Sequence, residues 1–394
     1  MGRGQCAAFR TVKRSVFMYN QYKLYSRRRF LAGCGGILGA AALCPADVAG
    51  DISGANIASG LHAAEFWEPL ADNRIRCRLC PRACIVADGQ RGYCRTRENR
   101  GGKYYTVVYG LACARNNDPI EKKPFFHVYP GSRSYSIATV GCNLTCRFCQ
   151  NWDIALAAPE DFRVEFCAPA EIARTASDAG CRTLAYTYNE PTVFYEYLRD
   201  CALAGRERGV ESVIVSNGYI EAKPLEALLP LLRAVKIDLK AFSQNFYGRV
   251  CDGELQPVLE TIKRLHGAGI WFEIVVLVIP TLNDQPDDIR RMMEWIVREV
   301  GPDTPVHFSR FHPTYKMRNI PHTPPAVLEE CRAMAREQGC RFVYIGNMPG
   351  APAQDTICPS CGKILIRRIG YHIAQNHLKS GCCDKCRQPI PGVW

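Results

Sequence analysis

The segment VGCNLTCRFCQNWD, residues 140 to 153, sets Cys142, Cys146 and Cys149 in a C-x3-C-x2-C spacing. Thiolates this close together bind zinc or iron. A closed structural site takes four protein ligands, whereas three leave one metal position open to a substrate or cofactor. Two further groups share metal-ligand spacing: Cys77, Cys80, Cys84 and Cys94 upstream, and Cys358, Cys361, Cys383 and Cys386 near the C-terminus. The last four form two C-x2-C knuckles about twenty residues apart, the pattern of a zinc ribbon, with a rubredoxin-like iron site as the alternative. The first group, C-x2-C-x3-C-x9-C, is compatible with zinc, a second cluster or no metal. Scattered cysteines such as Cys201, Cys251 and Cys331 read as small buried hydrophobes.

Such residues act only where the fold gathers them. From Ser134 to about Pro349, short apolar runs alternate with amphipathic segments. Strands are expected at YSIATVG, RTLAYTY, VESVIVSNG, AVKIDLK, IWFEIVVLVIP, PVHFSRFHP and RFVYIG. Helices are expected at PAEIARTASDAG, TVFYEYLRDCALAGRERG and QPDDIRRMMEWIVREVG, among others. This alternation implies βαβ units and a mainly parallel sheet, and six or seven units fit an incomplete barrel better than a closed eightfold one. The expected fold class is therefore α/β, a partial (β/α)6-type barrel over residues 134–349, with a Cys-rich N-terminal module over 60–133 and a zinc-ribbon-like module over 355–394.

In such a sheet the chemistry belongs at the C-terminal strand ends. The triad begins where YSIATVG stops, and Asn189, Glu190, Asn217, Asp238, Lys240 and His312 follow later strands, so all should converge on one mouth. Four of them also have an ordinary use: Glu190 as a helix N-terminal carboxylate ahead of Pro191, Asp238 and Lys240 as a surface pair, and His312 as a packed loop histidine outside the site.

Composition narrows the classes. Of 394 residues, 47% are apolar and 22% charged, enough to build a packed core, so the 22 cysteines need not be a disulfide scaffold. Of the net charge of +12, eight Lys or Arg without a single acidic residue lie in residues 1–46, leaving 42 basic against 38 acidic residues. That balance of +4 marks no nucleic-acid footprint, and no nucleic-acid partner is expected.

With Phe148 just before its last cysteine, the triad resembles the signature of radical S-adenosylmethionine (SAM) enzymes. TYNEPT at 187–192, KIDLK at 236–240 and VIPTLND at 278–284 resemble motifs of the branch that includes pyruvate formate-lyase activating enzyme. CRLCPRAC, DPIEKKP, GCNLTCRFCQNWDI and CPSCGKILIRR with the later CDKC and IPGVW are similar to the AmmeMemoRadiSam-system radical SAM enzymes, over residues 75 to 394. The resemblance implies a partial radical SAM barrel in which Cys142, Cys146 and Cys149 hold a 4Fe-4S cluster whose unique iron chelates SAM. Reductive cleavage would give methionine and a 5'-deoxyadenosyl radical that takes hydrogen from a substrate, small or macromolecular. It implies a low-potential electron donor such as flavodoxin or ferredoxin. It directs Glu190 to the SAM amino group, Asp238 and Lys240 to the methionyl portion and Phe148 to the adenine, with Asn217 a further cofactor contact. The carboxylate–ammonium and lysine–carboxylate contacts would be charge-assisted. The activating enzymes usually read Gly-Gly-Glu where this chain reads Tyr188-Asn189-Glu190, which removes the glycines' backbone freedom. Alternatives are a glycyl-radical enzyme activase and a non-catalytic multi-zinc interaction protein.

The leader, residues 1–50, contains SRRRFLAGCGGILGAAALCPA, which reads as a twin-arginine export signal. SAM and low-potential reductants are cytoplasmic supplies, so cytoplasmic chemistry is expected, with a twin-arginine-exported or membrane-held form as the alternative.

Overall fold

Apolar runs rich in Val and Ile, divided by amphipathic helices, become a single large sheet in the computed structural model, which describes residues 61–348 and 352–394. The twin-arginine-like leader lies outside the described residues. The sheet has eight strands: β1 (Ala114–Pro119), β2 (Arg133–Ala138), β3 (Thr183–Tyr186), β4 (Glu211–Ser216), β5 (Leu232–Asp238), β6 (Trp271–Val278), β7 (Val306–Arg310) and β8 (Val343–Gly346). Their spatial order follows the chain, and β2 through β8 are parallel. Six crossover helices join them: α1 (Pro169–Asp178), α2 (Tyr195–Glu207), α3 (Ala222–Leu228), α4 (Gln256–Gly267), α5 (Pro286–Val300) and α6 (Pro325–Glu337).

All seven expected strands form. The eighth, β1, runs antiparallel to β2, pairing Ala114 with Ala138 and Pro119 with Arg133. Its sequence ARNNDP has neither apolar alternation nor β-branched residues, so periodicity does not mark it; the neighbouring strand's free edge recruits it. β1 and β8 remain the two ends of the sheet, so strand pairing does not close a barrel among the described residues.

Helix boundaries follow local chemistry. Pro169, Pro286 and Pro325 each begin a helix, where the missing N–H costs nothing, and Asp287 and Asp288 face the positive end of α5. In α5, Ile289, Met292, Met293, Ile296 and Val300 recur at helical spacing and are buried against the sheet. Leu184, Tyr186, Ile214, Val235, Ile237, Ile274 and Val276 share that core, while the alternate residues Ala185, Val213 and Ala234 face the other way.

This second face is covered by the chain's own residues. Ile120, Phe125, Val128 and Tyr129, from the DPIEKKPFFHVYP stretch, pack on it together with Val393. Buried Glu273 on β6 accepts the backbone N–H groups of Phe126 (3.0 Å) and His127 (2.9 Å), and its other oxygen lies 2.7 Å from His307 Nε2 on β7. Burial would raise the Glu273 pKa, but the Lys236 ammonium, 3.5 Å away, and His307 hold it below the usual carboxylate range. Burial pushes His127 down to about 4 and His307 down to about 3, so both are neutral. The C-terminal segment joins the same core: Phe126, Phe342 and Tyr344 pack with Cys358, Leu365, Ile366 and Ile390, and buried Arg368 donates to the Phe126 carbonyl at 2.7 Å. At the other end of the chain, two small antiparallel sheets (residues 62–106) dock through the buried ion pair of Arg97 with Glu196 on α2.

Candidate active site

Directly after β2 the chain turns sharply at Gly141, with φ of +92°. A Cβ there would lie 2.3 Å from the Thr96 methyl and 2.6 Å from the Cys94 carbonyl, so only glycine fits. The cysteine loop is then held from several sides. Thr145 N–H donates to Cys251 O (3.0 Å) and Arg147 N–H to Val250 O (2.9 Å), both in the π-helical turn Tyr247–Cys251. Asn143 Nδ2 donates to Tyr219 O at 2.7 Å, and Asn189 Nδ2 to Gly141 O at 2.8 Å. Three thiols are thus fixed at the C-terminal end of a parallel strand by backbone contacts from neighbouring loops.

On one side of the loop stand Phe148, Asp238 and Lys240. The Lys240 ammonium lies 5.7 Å from the Phe148 ring centre and 3.5 Å from Asp238. Burial opposes its charge, but Asp238 and Cys146 hold the Lys240 pKa well above the ordinary lysine range. Asn283, in the VIPTLND stretch, donates to the carbonyls of Lys240 (2.7 Å) and Leu277 (2.8 Å) and accepts the Ile279 N–H. It ties the end of β6 to the end of β5 and so fixes the Lys240 backbone.

On the other side are Asn217 and Glu190. Asn217 Nδ2 approaches Cys142 Sγ at 3.9 Å and donates to Asn143 Oδ1 at 2.9 Å. Glu190 is buried, and both oxygens are occupied: Oε1 accepts from Thr192 N (3.0 Å), Thr192 Oγ1 (2.6 Å) and Ser216 Oγ (2.8 Å), and Oε2 from Asn217 N (2.8 Å). It also caps the short 3-10 turn Pro191–Phe194. Burial pushes its pKa up against these hydrogen bonds.

The thiols respond unequally. Burial, then Glu190, pushes Cys142 far up, and burial with Cys146 pushes Cys149 up to about 12. Cys146 moves down, because the Cys251 thiol donates to it and Lys240 lies near. Three thiols from one short loop are a donor set that suits iron or zinc and leaves a metal position open.

Three features escape sequence reading. Tyr188 adopts φ of +74°, the left-handed conformation for which glycine is suited, so the turn into Glu190 forms without the glycine. Its hydroxyl is gripped by Asp118, Lys123 and Asn116 from β1 and the segment after it. The DPIEKKP stretch was the only signal for that grip, and its spacing names no partner. Cys251 is buried as expected, yet its thiol sits against Cys146, which no local pattern announces. His312 packs on the His322 ring, with the ring centres 4.6 Å apart.

The tail thiols behave differently from the triad. Cys358 and Cys386 Sγ are 3.5 Å apart, Cys361 and Cys383 Sγ 3.7 Å, and all four lie within 4.8 Å of one another. A tetrahedral ion with Zn–S bonds near 2.3 Å separates its sulfurs by about 3.8 Å. Among the described residues no other trio of His, Cys, Asp or Glu ligand atoms closes so tightly.

A strand-end loop of three cysteines on a parallel α/β sheet, with polar side chains from successive strand ends around it, defines a radical SAM architecture. The sequence matches the Radical SAM superfamily over residues 136–296, and the chain belongs to that superfamily. It is 45% identical over 332 residues to an uncharacterized protein of Methanocaldococcus jannaschii, covering 84% of this chain and 99% of that one. It is 25% identical over 124 residues to the benzylsuccinate synthase activating enzyme of Thauera aromatica, covering 31% and 38% of the two chains. A solved domain of pyruvate-formate lyase-activating enzyme from Bacteroides vulgatus aligns over 41% of this chain and 98% of its own, with 17% identity and a TM-score of 0.38.

Proposed function

We propose that this radical SAM enzyme is of the AmmeMemoRadiSam-system type and cleaves SAM reductively at a 4Fe-4S cluster held by Cys142, Cys146 and Cys149. The observation that carries the reading is the convergence of Phe148, Asp238, Lys240, Asn217 and the Glu190 turn on one three-thiol loop. When bound, the cluster and SAM supply a one-electron cleavage to methionine and a 5'-deoxyadenosyl radical, which takes a hydrogen atom from the substrate.

The protein's share is orientation and exclusion of water. Lys240, fixed by Asn283 and held charged by Asp238, offers an ammonium to the methionyl carboxylate, and Phe148 offers an apolar face to the adenine. Asn217 keeps an amide toward Cys142, where hydrogen bonding tunes a thiolate ligand. With its oxygens already engaged, Glu190 serves the SAM amino group mainly by fixing the Tyr188–Glu190 turn and the Asn217 backbone.

A flavodoxin- or ferredoxin-like donor supplies the electron, and cytoplasmic SAM the cofactor. The tail group binds one zinc. The substrate class stays at hydrogen-atom donor. The activase reading is supported by the benzylsuccinate synthase activating enzyme, whose match covers 38% of that protein, and we keep the broader reading.

The test uses the full chain purified without oxygen. Iron and acid-labile sulfide should be present, and dithionite with SAM should yield 5'-deoxyadenosine. A protein carrying only zinc and forming no 5'-deoxyadenosine would sink the proposal and favour a multi-zinc interaction protein.

A further inference from the structure

We infer that Cys77, Cys80, Cys84 and Cys94 hold a second iron–sulfur cluster that relays single electrons to the SAM-site cluster. The relay role rests on the function proposed above; the binding of the cluster does not.

Local structure gathers the four thiols. The strand Ile75–Cys77 returns through a tight turn to Ile85–Val86, with Cys77 N–H donating to Cys84 O at 2.9 Å and Ala83 N–H to Cys80 O at 3.1 Å. Cys94 lies in the next turn, where Arg95 N–H donates to Gly92 O at 2.9 Å. Gly92 brings that turn against the first: a Cβ on it would stand 3.8 Å from Cys84 Sγ and 2.9 Å from Tyr104 Oη. All four cysteines are free thiols; Cys77, Cys84 and Cys94 belong to, or pack against, one core cluster, and Cys80 lies close enough to interact electrostatically with all three.

Donors surround them that protein atoms do not satisfy. Arg97 is fully buried and Tyr104 is 2% exposed, yet Arg97 Nε and Tyr104 Oη have no hydrogen-bond partner. Arg97 Nη1 lies 3.8 Å from Cys77 Sγ, and the Thr96 hydroxyl has both Cys94 Sγ (3.2 Å) and the Val193 carbonyl (3.0 Å) as acceptors for its one proton. A buried donor left unpaired is costly, so two of them beside a group of thiols call for an acceptor. Anionic iron–sulfur clusters accept hydrogen bonds at their sulfurs, and these bonds help set the reduction potential.

Spacing separates a cluster from a single ion. The tail thiols close within 4.8 Å, but among the described residues no three of the N-terminal thiols do. One tetrahedral ion needs sulfurs about 3.8 Å apart. A cubane spreads its ligands over four irons and requires a wider set.

Position supplies the role. The Cys94 carbonyl and the Thr96 methyl form the wall against Gly141, next to Cys142. Tyr93 Oη shares a 2.9 Å hydrogen bond with Thr145 Oγ1 in the triad loop, and Arg82 donates to the Asn143 carbonyl. The two cysteine loops therefore share backbone walls. In the relay a low-potential donor loses one electron, the second cluster gains it and then returns to its oxidised state as the SAM-site cluster is reduced. No bond or proton changes place in that transfer.

The test is a full-length C142A/C146A/C149A protein, purified without oxygen and reconstituted with iron and sulfide, beside the wild type. About four irons and four sulfides per chain should remain in the variant, against about eight of each in the wild type. Four irons in the wild type and none in the variant would overturn the second cluster while leaving the SAM site intact. Four in both would instead count against the triad. Two zincs and no iron in the variant would assign these cysteines to zinc and overturn the inference. The wild type gives an independent reading if the variant does not fold. After reduction, SAM should alter one of two cluster signals in electron paramagnetic resonance and leave the other unchanged. A single signal, wholly altered by SAM, would overturn the second cluster.

Discussion

The Tyr188 hydroxyl donates to Asp118 Oδ2 at 2.6 Å, joining residues 70 positions apart, and this contact holds the turn that leads into Glu190. Lys123 Nζ and Asn116 Nδ2 donate to the Tyr188 hydroxyl oxygen at 3.1 and 3.0 Å. The grip explains how a tyrosine is kept at a positive φ, a conformation costing about 1–3 kcal/mol unless its surroundings enforce it. Tyr188→Phe should therefore lower stability by about 1–3 kcal/mol and weaken SAM binding, read by thermal unfolding and by calorimetric titration with SAM. An unchanged melting temperature would show that the hydroxyl does not anchor the turn.

Glu190 makes its contacts only as an acceptor. Glu190→Gln would present an amide NH2 to donors from Thr192, Ser216 or Asn217, leaving at least one buried group unpaired. A loss of about 1–3 kcal/mol is expected, together with reduced SAM affinity and an unaltered cluster absorption spectrum. If SAM affinity falls while stability is untouched, Glu190 contacts the cofactor directly and its structural role is wrong.

Each of Cys142→Ala, Cys146→Ala and Cys149→Ala should abolish formation of 5'-deoxyadenosine, since two thiolates do not retain the cluster in its site-differentiated form. Turnover retained in all three variants would reject the triad as its ligands.

In the tail, Cys361→Ser should remove about one equivalent of zinc per chain without changing the iron content. Point substitution is the right probe, because cutting the tail off would uncover Phe126, Phe342 and Tyr344, which share its core. Metal analysis showing the same zinc content in variant and wild type would mean that the knuckles bind no metal.

The buried histidines predict acid sensitivity. His127 and His307 have folded pKa values near 4 and 3, below the unfolded value of 6.5. Between those limits the unfolded chain binds more protons, so stability is fully present above pH 6.5 and is lost as pH falls toward the folded values. From pH 6.5 to 5 each histidine should cost about 2 kcal/mol. Histidine-selective nuclear magnetic resonance would check the cause directly: both rings should stay neutral from pH 7 to 5, and a midpoint near 6.5 for either would remove it from this account.

What could be read from the chain alone was whatever is encoded over short distances. Seven parallel strands follow from runs of six to eleven apolar-rich residues, and the three-thiol loop from eight consecutive positions. The paired knuckles also follow from local spacing, because ligand spacing is a property of a single turn. Local spacing could not supply the partners of those residues. Glu190 reads as either a cofactor contact or a helix cap, and its contacts with Ser216 and Asn217 come from another strand end. β1 lacks any strand pattern of its own and forms because β2 offers an unpaired edge. Tyr188 was expected to cost the turn its flexibility, but Asp118, Lys123 and Asn116 impose the conformation that glycine would have adopted freely. The same holds for Cys251 beside Cys146 and for the tail packed on the sheet's second face. Sequence spacing thus determined which chemistry the side chains can perform, and tertiary packing decided which of them meet, because desolvation and hydrogen bonding act through space and carry no record of distance along the chain.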